Sequence, residues 1–310
     1  MNTEIFDKTL LLTRVDFDKN QNPRLKLGEA ETGKIHNFTP QFGTDLTLKI
    51  DTSERFCIGW HDLNTGEDFL CPENSTVDKK YEQCSKCKKR TGFDPAFYNA
   101  SQGEISAQQE TRNAQPHLVY LAYFSDEVIK VGISFAGRGI ARLLEQGARA
   151  ALILGEFPTA NIARNYEEKI SRMPDFVENV KANMKLKLLE KPFNFDQASK
   201  NLLEARDKIE SALNTNFDQN IPQDLSQFYA PNGQIPSGEI IPISDCAQNS
   251  PDEIIFSGRM LAQVGYIWLA ENQGEIVAIP LRKFTGYKVE ISPQIQPICL
   301  PERQASLFDF

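Results

Sequence analysis

Four of the six cysteines fall in the pattern Cys57-x13-Cys71-x12-Cys84-x2-Cys87. A Cys-x2-Cys pair turns the chain so that two thiolates aim at one ion, and two more soft ligands complete the tetrahedron zinc prefers. The loop between Cys71 and Cys84 offers only Val77 and Tyr81 for burial. A bound metal would supply the order that such a loop lacks. The expectation is structural Zn2+ held by Cys57, Cys71, Cys84 and Cys87. The alternatives are four reduced, buried cysteines, or His61 in place of one thiolate. Cys246 and Cys299 are distant singletons and read as ordinary core or loop residues.

A second set of chemically capable side chains sits in "VYLAYFSDEVIKVGIS", residues 119–134. One apolar run carries Tyr120 and Tyr123, and the next carries Lys130 directly before Val131-Gly132. Two strands and a tight turn would place these residues on a common sheet.

The surrounding pattern says which elements must position them. Strands are expected at 117–124 and 128–134, a helix at 137–146 closed by Gly147, a strand at 150–157, and a helix after Pro158 on Ile162, Tyr166, Ile170 and Met173. This is a β-β-α-β-α order. A further helix spans 196–213 with Asp196 as its N-cap. The expected class is α+β, in segments: an N-terminal β region with the cysteine cluster (1–98), a polar linker "NASQGEISAQQETRNAQP" (99–116), the core (117–195), a helix and linker (196–252), a small antiparallel β module (253–300) and a tail (301–310).

The order and residues of the core resemble the GIY-YIG nuclease superfamily. Leu118-Val119-Tyr120 stands where that family has its first motif, and Lys130-Val131-Gly132 where it has Tyr-Ile-Gly. The match is nearest to a zinc-containing branch with Lys-Val-Gly, carrying "VYLAYF…KVGIS…RLLEQGA" and a C-terminal "GRMLAQVGYIWL…GYKVEI". The resemblance implies a helical arginine at Arg142, with Arg138 as runner-up, and a metal-binding glutamate at Glu167 within "ARNYEEKI", with Glu168 adjacent.

These residues suit in-line displacement at a phosphodiester, which needs a base, cations for the phosphate oxygens and a metal for the leaving oxygen. Tyr120 is the candidate base, although a phenol of ordinary pKa is only about 0.1% ionised at neutral pH. Lys130 and Arg142 would grip phosphate, and Glu167 would hold catalytic Mg2+ or Mn2+. Arg138, Gly132 and Tyr123 are candidate substrate-binding residues. The competing reading makes Tyr120 a strand aromatic, Lys130 an edge charge, and Arg142 and Glu167 solvated helix charges.

The net charge of −8 excludes a globally basic coat, yet residues 78–90 hold six basic and two acidic side chains, the sign a polyanion requires. The terminal "PERQASLFDF" resembles, at Gln304, Leu307 and Phe308, the Gln-x-x-Leu-Phe peptide that docks on the bacterial sliding clamp. No membrane span or secretory leader is legible, so a cytoplasmic location is expected. The leading expectation is a metal-dependent endonuclease acting on DNA in repair or replication. The rivals are a non-catalytic, zinc-containing nucleic-acid-binding protein and a sliding-clamp adaptor.

Overall fold

Alternating apolar residues in the first fifty positions build the first four strands of the computed structural model, which describes residues 3–93, 105–218, 221–248 and 250–301. They are β1 (Leu10–Phe17), β2 (Pro23–Glu29), β3 (Lys34–Phe38) and β4 (Asp45–Asp51). A two-strand hairpin, β5 (Trp60–His61) and β6 (Asp68–Phe69), follows, and then α1 (Ser85–Thr91) and α2 (Ala107–Asn113). The core comprises β7 (His117–Ser125), β8 (Val128–Phe135), α3 (Ala141–Gln146), β9 (Ala150–Phe157) and α4 (Ala160–Ser171). After it come β10 (Phe176–Val177), α5 (Ala182–Leu189), α6 (Phe195–Leu213), β11 (Gln223–Asp224) and β12 (Ile240–Pro242). The chain then forms β13 (Glu253–Val264), β14 (Ile267–Asn272), β15 (Glu275–Pro280) and β16 (Lys288–Ser292).

Two large sheets result. One has five strands in the order β10-β8-β7-β9-β11, and β7 at its centre is buried along its whole length. The other has nine, in the order β12-β15-β14-β13-β4-β16-β1-β2-β3. Phe38 of β3 and Trp268 of β14 have ring centroids 6.5 Å apart, although five strands lie between theirs. In a flat sheet six inter-strand spacings would separate them by about 29 Å. The nine-stranded sheet is therefore curled back on itself around Leu12, Leu27, Leu48, Ile50 and Phe256. Between the sheets, Tyr120, Ala122 and Phe124 share a core with Ala262, Val264, Ile267 and Leu269. On the other face of the five-stranded sheet, Val119, Leu121 and Val131 pack against α4 and α6 through Ala163, Ile170, Leu202 and Ile209.

Several boundaries differ from the sequence expectation. The strands expected as separate N- and C-terminal modules interleave in one sheet, since β4 pairs with both β13 and β16. The segment 99–116 is not wholly a linker: Ser106 caps α2 by accepting the Gln109 N–H at 3.1 Å, and Gln109 is fully buried. The helix expected at 137–146 is broken by Gly139 at φ 50° into a 3-10 turn, Ala136–Arg138, and α3. Gly147 closes α3 in the left-handed region at φ 72°, as its position implied. Asn194, not Asp196, caps α6, accepting the Gln197 N–H at 2.9 Å. The stretch after α6 is no free linker either, because β11 pairs with β9, β12 pairs with β15, and Leu225 and Tyr229 are fully buried. Among the described residues no helix is long and apolar enough to cross a membrane.

Candidate functional site

The four cysteine sulfurs gather at one point, with Sγ atoms of Cys57, Cys71, Cys84 and Cys87 all within 4.8 Å of one another. The backbone N–H groups of Gly59 and Cys84 point at Cys57 Sγ, at 3.4 and 3.2 Å. Amides aimed at a sulfur stabilise a thiolate, so the donor set suits a soft metal ion such as zinc. His61 does not join it: its Nδ1 lies 2.8 Å from Asp68 Oδ1. Asp68 also binds Arg14 at 3.0 Å and Lys26, tying the cysteine hairpin to β1 and β2.

The second cluster is built on β7 and β8. Tyr120 pairs across the strands with Gly132, and Ala122 with Lys130, so Tyr120, Gly132 and Lys130 share one face. Tyr123, an odd number of residues from Tyr120, takes the other face. There its hydroxyl donates to Asp126 and its ring meets Phe193 at 6.3 Å. It is not part of the Tyr120 cluster.

Arg142 approaches from α3. Its Nη2 lies 2.9 Å from the Gln146 amide, whose oxygen must face the guanidinium to accept. Glu145 pairs with Arg142 at 3.5 Å and with Arg138. Glu167 lies on the buried stripe Ala160, Ala163, Glu167, Ile170 of α4, which packs on β8 and β7. It is 7% exposed and its Oε2 accepts from Arg164. The neighbouring Glu168 faces solvent and pairs with Arg172.

Electrostatics bind these groups together. Burial lifts the Tyr120 phenol above its ordinary value, against the pull of Arg142 and with the push of Glu167. Tyr120 is 2% exposed, stays neutral near pH 7 and accepts from Arg142, which fits a positioning group better than the base expected from sequence. Burial lowers Lys130 to about 8, opposed by Glu167 and assisted by Arg142 and Lys185. Its Nζ donates to the carbonyls of Val131, at 3.2 Å, and Glu178.

Lys185 is the residue the sequence did not announce. Burial lowers it to about 7, and its Nζ donates to the Gln146 carbonyl and, at 3.0 Å, to Tyr266 Oη. The signal was a lysine on the buried side of "ANMKLKLL", a helix that was not anticipated. Gln304, Leu307 and Phe308 lie outside the described residues.

These features define an α+β protein of two large sheets, with a tetracysteine cluster able to hold a metal and a separate nest of buried cations around Tyr120 and Glu167. Residues 43–289 match the family described as protein of unknown function (DUF2797), and the chain belongs to that family. No curated protein and no solved structure matches the chain.

Proposed function

We propose that the chain is a metal-dependent phosphodiesterase that cuts nucleic acid, DNA in the first instance, at the cluster of Tyr120, Lys130, Arg142 and Glu167. The supporting observation is placement: Tyr120, Gly132 and Lys130 share one face of β7 and β8, within electrostatic reach of Arg142 and Glu167. The resemblance of the β-β-α-β-α segment to GIY-YIG nucleases supports the same reading. Arg142 and Lys130 would hold phosphate oxygens, and Tyr120 would donate a hydrogen bond to the displaced or entering oxygen. Glu167, buried on α4, offers the hard carboxylate oxygen that a Mg2+ or Mn2+ ion requires. Such an ion would neutralise charge on the phosphate. The four cysteines would hold structural zinc away from this chemistry.

A second reading, a nucleic-acid-binding protein without turnover, is favoured by the burial of Tyr120 and the Glu167–Arg164 ion pair. Nicking of supercoiled plasmid with Mg2+ separates the two. Wild type should cut and Glu167→Ala should not. Equal binding by both, with cutting by neither, sinks the phosphodiesterase reading.

A further inference from the structure

A groove of about 680 Å³ opens where the cysteine loop, the N-terminal end of α5 and the turn after β15 meet. Five exposed cations line it: Lys80 from the cysteine loop, Lys88 from α1, Lys181 before α5, and Arg282 with Lys283 after β15. None of the five forms a salt bridge among the described residues. The groove's one carboxylate, Glu82, is already engaged by Arg55 at 3.8 Å and by the Thr285 hydroxyl at 3.0 Å. Five cations with no carboxylate partner among the described residues, on one concave surface of a protein with net charge −8, mark a site for a polyanion.

The aromatic content narrows the partner. Tyr81 stands in the groove 55% exposed, the most exposed aromatic among the described residues, with Lys80 Nζ 5.0 Å from its ring centre. A solvent-facing ring beside a row of cations suits an unpaired base stacked between phosphates. An acidic peptide would use the cations but leave the ring without a partner, and a base inside a duplex lies out of the ring's reach. The groove also adjoins the buried cluster. Tyr266 lines its wall, accepts from Lys185, and lies 5.8 Å from Arg282, while Lys185 bonds the Gln146 carbonyl and Arg142 faces the Gln146 amide.

We infer that this groove holds a single-stranded nucleic acid, its phosphates along Lys80, Lys88, Lys181, Arg282 and Lys283 and one base on Tyr81. The inference rests on the phosphodiesterase reading only for where the strand leads, not for its binding.

The test is fluorescence anisotropy of the full chain with a labelled oligothymidylate of about 15 nucleotides, across a salt series. Each phosphate contact adds about 0.7 to the slope of log affinity against log salt for a single strand. The triple variant Lys80→Ala/Lys181→Ala/Lys283→Ala, whose side chains are exposed, should bind about 10-fold or more weakly, with a slope reduced by about 2. Tyr81→Ala should weaken the single strand several-fold, leave the slope unchanged, and barely alter binding of a duplex of equal length. Unchanged circular dichroism keeps the comparison fair. Wild-type affinity in the triple variant overturns the proposal, as does equal displacement of the strand by polyglutamate. A chain that binds through these lysines but never cuts overturns the phosphodiesterase reading alone. One that cuts while the triple variant binds normally overturns the groove alone.

Discussion

Tyr120 and Gly132 face each other across β7 and β8 so closely that a methyl group on Gly132 would stand 2.6 Å from the Tyr120 oxygen and 2.7 Å from its ring carbon. The glycine is what allows a fully buried phenol to lie flat across the neighbouring strand. Gly132→Ala should therefore destabilise the protein by about 1–3 kcal/mol, the usual cost of overpacking. Tyr120→Leu, lacking the ring, should absorb much of that cost. A double-mutant cycle by urea unfolding checks it, and strictly additive losses would contradict the contact.

Lys130 gives a pH dependence of definite sign. Its folded value, about 8, lies below the ordinary lysine value of about 10.4, so between the two the unfolded chain binds the proton more readily. Stability should rise as pH climbs from about 8 to about 10. Lys130→Met should remove part of that rise, on the order of 2 kcal/mol, leaving the contribution of Lys185, which sits at about 7. The groups facing Lys130 are Glu167, Arg142, Lys185 and Glu178. If the cationic form grips phosphate, cutting should fall above pH 8 in wild type and persist to higher pH in Lys130→Arg.

Glu167 and Glu168 are adjacent yet differently placed. Glu167→Gln should lower plasmid cutting by about 100-fold or more, whereas Glu168→Gln should leave it near wild type, because Glu168 is turned off the buried stripe toward solvent, where it pairs with Arg172. Equal losses in the two variants would argue against the assignment.

Asp68 is the ionic link between the cysteine hairpin and the nine-stranded sheet. Burial raises its carboxyl, but His61, Arg14 and Lys26 together hold it well below the ordinary range. That stability is present above about pH 4 and lost as pH falls through the lowered folded value. Asp68→Asn should cost about 1–3 kcal/mol at pH 7 and flatten the acid limb of the denaturation profile.

Metal analysis of the purified chain should find one zinc per molecule. Cys84→Ser/Cys87→Ser should abolish it and lower the melting temperature. A metal-free wild type with the same melting temperature as the loaded form would show that the cysteines are merely buried.

The core was legible because each element carries local punctuation. The strand 150–157 follows from its apolar run, and the helix α4 from helical spacing, although its buried stripe is Ala160, Ala163, Glu167 and Ile170, with Ile170 alone shared with the expected set and Ile162 exposed. The cysteine cluster was legible for a similar reason, its knuckle being local. What escaped depends on distant contacts. The pairing of β4 with β13 and β16 joins residues some two hundred positions apart, and no periodicity records a partner. Tyr123 looked equivalent to Tyr120 in composition, and only the odd spacing separated their faces. Lys185 escaped because its helix is short and its burial is set by Tyr266 and Phe124, from two other elements.

The interleaved sheet also dictates the order in which the protein can be completed on the ribosome. Both neighbours of β4 arrive only with residues 253–292, and β1 waits for β16 as well. A nascent chain that has already emerged through the five-stranded core still carries β4 with two open edges. The last forty or so residues of the sheet thus act as a closing clasp, and until they appear the opening strands need shielding from other nascent chains.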